Sequence, residues 1–169
     1  MMSEGTARTP NVMNLFVKGV LSKCVEVDNT MIDGRNTKEL LLQKVKQMVE
    51  GRCIKEGYIK RDSVELVSHS APKVQADKLS FMVVFECLIC DPSEGDKISC
   101  SAINITKAGL RCEVLIDTEK PVVVFIARDH NFTNKRFAEV KENDVIQVKI
   151  VGVRYELNDE YISVIGEII

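Results

Sequence analysis

Cys87-Leu88-Ile89-Cys90 has the spacing of a zinc-ligand pair, and Cys100 and Cys112 could complete a four-thiolate site. The residues between the first two argue against it. A zinc knuckle needs turn residues, whereas Leu88 and Ile89 belong to an apolar run that reads as a strand, where side chains three positions apart point to opposite faces. Small buried hydrophobes are the favoured reading of these cysteines, and neither a metal nor a cofactor is expected. His69 and His130 are the two histidines, and neither stands at a telling spacing from a nucleophile or carboxylate. The glycines are scattered singly, so no loop is built to cradle phosphates. Asp91, Asp96, Glu142 and Asp144 flank strand ends, where carboxylates promote turns. A non-catalytic protein is expected.

Binding is the other chemistry open to these residues. Lys107, Arg111, Phe125, Arg128, His130, Phe132, Lys135 and Arg136 interleave cations and aromatics in the C-terminal half, as contact with single-stranded RNA requires. The overall balance restrains that reading. Residues 91–169 carry 10 Lys and Arg against 14 Asp and Glu, so only a local basic stripe could hold a phosphate backbone. Aromatic residues make up 5% of the chain and none is Trp, so any stacking platform is small. A solvated polar loop is the competing reading. In the N-terminal half, Lys44, Lys46, Arg52, Lys55, Lys60 and Arg61 crowd one stretch, either as a solvated face or as a surface docking on an acidic assembly.

These side chains must be positioned by strands. Leu15 to Val27 is rich in β-branched residues and predicts a long strand. Asn36 and Glu39 have the form of a capping box before Leu41, Leu42, Val45, Met48 and Val49, which recur at helical spacing until Gly51. Three strand-like runs follow: Arg52 to Lys60 with a bulge or kink at Gly57-Tyr58, Asp62 to His69, and Leu79 to Cys90. Ser70 to Lys73 reads as a loop. The clearest break is Asp91-Pro92-Ser93-Glu94-Gly95-Asp96, which sets the domain boundary. Beyond it come five more strands: Lys97–Thr106, Leu110–Ile116, Val122–Ala127, Val145–Arg154 and Tyr161–Glu167. The longest connection, Arg128 to Asn143, lies between the third and fourth, as in an OB-type barrel. The expected fold is α+β, with a flexible tail over residues 1–12, a β-α-β-β-β module over 13–90 and a five-stranded OB-type β-barrel over 91–169. No run of about 18 apolar residues suggests a membrane span. The N-terminus lacks the pattern of a secretory signal, so an intracellular chain with reduced thiols is expected. The Asn-x-Thr triplets at Asn104 and Asn131 then carry no meaning.

The order of elements and several local motifs resemble the larger stalk subunit of multisubunit RNA polymerases, the subunit-seven family of eukaryotic polymerase II and its archaeal counterpart. Val49-Glu50-Gly51-Arg52-Cys53 followed by Gly57-Tyr58-Ile59 resembles that family's helix exit and next strand. Phe81 to Val84, then Pro92, Gly95 and Asp96, resembles its domain junction. Lys107-Ala108-Gly109-Leu110 resembles its first barrel turn, and Val148 to Gly152 with Ile165 to Ile168 its closing strands. The resemblance runs from Leu15 to Ile169 and lies in the order of motifs.

It implies a non-catalytic stalk subunit of a DNA-directed RNA polymerase. Its N-terminal tip module would dock on the polymerase core near the clamp through Lys55, Gly57, Tyr58, Lys60, Arg61 and Pro72. A smaller stalk subunit would pack along its side as heterodimer partner, and its barrel would touch nascent RNA or initiation factors. The chain departs from the family at His69-Ser70-Ala71-Pro72, where a Gly-rich loop is usual, and at Leu110-Arg111, where an aromatic is usual. These departures point to a copy encoded by a large DNA virus, acting in the virion and host cytoplasm; a cellular copy would act in the nucleus. The alternative is a free-standing RNA-binding protein related to OB-fold translation factors.

Overall fold

A computed structural model describes residues 15–169. The tail expected over residues 1–12 and the first two residues of the N-terminal module lie outside them.

Two strands of 13 residues frame the N-terminal module: β1 (Phe16–Asp28) and β6 (Lys78–Cys90) pair antiparallel along their whole length, from Phe16 opposite Cys90 to Asp28 opposite Lys78. Between them in sequence lie α1 (Thr37–Val49), β2 (Cys53–Ile54), β3 (Gly57–Ile59), β4 (Glu65–His69) and β5 (Lys73–Gln75). β6 is the hub. It pairs with β1 on one edge, and with β3, β4 and β5 in succession along the other, while β2 pairs with β3. Leu41, Val45 and Val49 recur every fourth residue on one face of α1 and are fully buried with Val25, Phe85 and Ile59 of the sheet.

Several local expectations change. The cap at Asn36 does not form: its side chain instead accepts from Asp33 N and donates to Met31 O, closing the loop before α1. Arg52 to Lys60 is not one kinked strand but the tight β2–β3 hairpin. The loop expected over Ser70 to Lys73 ends early, because Lys73 opens β5, which returns to β6 through Ala76 at φ 55. The module is therefore β-α-β-β-β-β-β, a six-stranded sheet with one helix on it. Gly51 does follow the helix end, with φ +71.

The C-terminal half is a closed barrel of β7 (Lys97–Ile105), β8 (Gly109–Ile116), β9 (Glu119–Ala127), β10 (Val145–Arg154) and β11 (Ile162–Ile168). The strands run β7-β8-β9-β11-β10 and back to β7, with β9 and β11 parallel, so the fold is OB-like. Alternate residues of each strand fill the interior, among them Leu110, Cys112, Val124, Ile126, Val148 and Ile162. The segment expected as a polar connection holds two short helices, α2 (Arg128–Asn131) and α3 (Lys135–Glu139). They cover the barrel end where β9 and β11 finish, and Phe137 packs into the core there. Buried Asn131 donates to Ala127 O and accepts from Ile168 N, which ties α2 to both strands.

The opposite end of the barrel meets the N-terminal sheet. Cys53, Tyr58 and Cys90 belong to the barrel core, not to the core under α1. Cys53 N donates to Asp159 O and Asn158 N to Cys53 O, both at 2.8 Å, so the β2–β3 hairpin is bonded to the β10–β11 turn. This seam is backbone-bonded and shared by both halves.

Candidate nucleic-acid interface

The barrel residues expected to touch RNA fall into two groups. Arg111 and Phe125 are opposite one another on the outer face of β8 and β9, and Ile165 of β11 is next in the same row. All three are exposed. The remaining six, Lys107, Arg128, His130, Phe132, Lys135 and Arg136, surround the end covered by α2 and α3. All are exposed there, and the Phe132 ring is 77% exposed.

Two of these cations already have structural work. Arg128 donates through Nε to Lys107 O and through Nη2 to Thr106 O, each at 2.9 Å, and its guanidinium lies 5.1 Å from the centre of the Phe137 ring. It therefore fastens the β7–β8 turn to the helical cover. Arg136 donates to Ile169 O at 2.6 Å. Lys107, His130 and Lys135 keep their side chains free of hydrogen bonds to described residues.

The residues expected to dock on a polymerase core do not form one patch. Pro72 is exposed in the β4–β5 link and lines a cleft of about 760 Å³ with His69, Phe81 and Arg35. Lys55, Gly57, Tyr58, Lys60 and Arg61 lie at the seam, near Cys90 at the far end of β6. The β5 register puts the two places about nine residues apart along β6, roughly 30 Å at strand rise. Tyr58 is only 2% exposed, so its side chain faces the barrel and not a partner.

Glu119, which the sequence does not single out, organises that seam. Its carboxylate is buried, yet accepts from Tyr58 Oη at 3.0 Å and from Arg61 N at 2.8 Å. Lys60 Nζ stands 3.8 Å from Glu119 and 3.1 Å from Asp117. The hydrogen bond to Asp117 holds the Lys60 ammonium above its ordinary range, and burial followed by the bond to Glu119 pushes the Tyr58 phenol up. A second phenol, Tyr155 Oη, donates to Lys55 O at 3.0 Å. The only sequence signal for this arrangement is a carboxylate just ahead of the apolar run Val122–Ala127.

Beside Glu119 opens a cleft of about 350 Å³ whose walls come from both halves: Arg61 from one, and Arg111, Lys120, Val123 and Tyr161 from the other.

The cysteines are placed as strand geometry requires. Cys87 packs into the core under α1 and Cys90 into the barrel core, so the two thiols face opposite sides of β6. Burial pushes Cys87 to about 11 and Cys90 to about 12. Cys100 and Cys112 are both buried in the barrel core, and the neighbouring Cys112 thiol together with burial pushes the Cys100 thiol up. Among the described residues no three His, Cys, Asp or Glu side chains are grouped to hold a metal ion. No helix among them is long and apolar enough to cross a membrane. Set against models of known protein families the chain matches none, and a search of curated proteins finds no match either.

Proposed function

We propose that this chain is a non-catalytic stalk subunit of a DNA-directed RNA polymerase. The observation that carries the reading is the union, in one chain and in the order the resemblance implies, of a helix-backed sheet and an OB-like barrel joined through a buried seam. A stalk has to hold a distal module at a fixed angle from an anchored one, and a backbone-bonded seam does so. The end of the sheet far from the barrel offers the core a partly apolar cleft at Pro72, His69 and Phe81. β1 is paired with β6 alone and exposes Val17 and Val20, which leaves a long edge for the smaller stalk subunit. The barrel then stands away from the core, near emerging transcript or initiation factors.

Co-purification tests this. A tagged chain expressed in its own cellular or viral setting is expected to recover the two largest polymerase subunits by mass spectrometry. Pro72→Asp is expected to lose those subunits while retaining the smaller stalk partner. Recovery of ribosomes or translation factors in their place would establish the free-standing RNA-binding alternative, and recovery of no polymerase subunit would refute the stalk reading.

A further inference from the structure

β1 ends the N-terminal sheet, and among the described residues its outer edge has no partner along all 13 residues. Backbone parity decides which groups face that edge. Asn29 N donates to Asp77 O, one rung beyond the paired Asp28 and Lys78. Bonded rungs alternate in an antiparallel ladder, so the odd-numbered residues of β1 bond β6. The N–H and C=O groups of the even-numbered residues, from Phe16 to Asp28, therefore point to the open edge. An edge of this length is a template for another strand.

The sequence of β1 is complementary to itself. Two copies set antiparallel about a two-fold axis at Ser22 pair all 13 residues, and bring even-numbered groups onto even-numbered groups as the free bonds require. Ser22 then meets Ser22 of the second copy, Val20 meets Cys24, and Lys18 meets Glu26. Lys18 and Glu26 are exposed. Lys18 holds Glu86 at 3.0 Å, whereas Glu26 has no cation within 4.0 Å among the described residues. A slip by one bonded rung in either direction leaves residues unpaired at one end of each strand and separates Lys18 from Glu26. On the other face Val17 meets Val27, and Leu21 meets the half-buried Lys23. An edge lysine ordinarily wards off a second strand, but the two-fold axis sets Lys18 against a carboxylate.

We infer that two copies of this chain pair through β1, in the register centred on Ser22, so that one sheet runs through both. The inference goes beyond the stalk reading. The edge it fills is the one proposed for the smaller stalk subunit, so the two partners exclude each other and the dimer is the form of the chain outside the polymerase.

Sedimentation of the purified full chain between about 1 and 100 µM is expected to show monomer giving way to dimer. Ser22→Pro removes an N–H that only a second strand would use, and an edge strand tolerates proline. It is expected to leave the circular dichroism unchanged and to abolish the dimer throughout that range. Lys18→Glu sets like charges opposite one another twice per dimer and is expected to weaken association roughly tenfold. Adding Glu26→Lys restores opposite charges and is expected to recover most of the loss. Register is read by cross-linking, with copper phenanthroline as the oxidant. Val20→Cys places a thiol opposite Cys24 of the second copy, about 5.5 Å away at Cα and within disulfide reach. Within one strand the same two positions are about 13 Å apart and cannot bond. Val20→Cys is therefore expected to give a covalent dimer, whereas the unmutated chain, whose Cys24 meets Val20, gives none. A chain that stays monomeric at every concentration would overturn the inference. A dimer indifferent to Ser22→Pro, or to Lys18→Glu, would place the interface elsewhere and overturn it too. A covalent dimer from the unmutated chain would move the axis to Cys24 and overturn this register. Each of these outcomes leaves the polymerase pull-down to judge the stalk reading separately.

Discussion

Glu119 gathers the side-chain contacts that close the seam: the Tyr58 hydroxyl, the Arg61 amide and, more distantly, the Lys60 ammonium. Such a carboxylate adds little net energy while its partners are present, but its removal leaves a buried phenol and a backbone amide without an acceptor. Glu119→Ala is therefore expected to cost about 3 kcal/mol and Tyr58→Phe about 1 kcal/mol in urea unfolding. The double variant should cost less than the sum, because both changes cut the same bond. A Glu119→Ala protein within about 0.5 kcal/mol of the unmutated chain would show that the seam is held elsewhere. Residues of this kind explain what reading the sequence recovers and what it does not. Arg111 and Phe125 are legible as outward-facing residues because strand alternation alone puts them on the outer face. Arg128 looks like a phosphate ligand in sequence, yet its acceptors lie 21 and 22 positions away across the β7–β8 turn. Glu119 and Tyr58 meet over 61 positions, and no local pattern announces that.

Elements were legible where their period was long and where turn chemistry was explicit. β1, α1, β6 and the five barrel strands follow from apolar alternation or a fourfold repeat, and Gly109 marks the turn that joins β7 to β8. The β5 hairpin escapes because its turn uses Ala76 and Asp77 in place of glycine, and its strand, Lys73–Gln75, is exposed throughout. The α2 and α3 helices escape because four and five residues are too few to show a period. Gly109 allows the element-scale account to be tested. It sits at φ +153 against the Ile126 carbonyl oxygen and Ala127 Cα, so a methyl group there meets backbone that cannot give way. Gly95, at φ +92 in the link between the halves, has nothing within 4 Å of an added Cβ. Both substitutions to Ala carry the conformational cost of a positive φ, about 1 kcal/mol. Only Gly109→Ala adds a backbone clash, and it is expected to lose at least about 2 kcal/mol more by urea unfolding. Equal losses at the two positions would mean that the close β8–β9 approach is not needed.

At the scale of the whole molecule the question is whether two halves with two cores behave as one body. The halves share more than a linker. Cys53, Tyr58 and Cys90 fill one end of the barrel, Leu15 and Phe16 at the start of β1 pack there too, and two backbone bonds tie the β2–β3 hairpin to the β10–β11 turn. Opening the seam would expose that apolar surface and strand several polar groups, a loss too large for the barrel to keep its stability while the sheet unfolds. Nature has also placed a reporter there. The chain has 3 Tyr and no Trp, and Tyr58, Tyr155 and Tyr161 all stand at the seam. Tyrosine fluorescence thus follows the seam alone, while far-ultraviolet circular dichroism follows α1 and both sheets. The two signals are expected to change together through one urea transition, with the same midpoint and slope. Tyrosine fluorescence changing at lower urea than circular dichroism would show that the halves separate before either unfolds, and a hinge would then take the place of the strut. The distinction bears on the proposed function, since a strut fixes where the barrel points relative to the sheet, and a hinge does not.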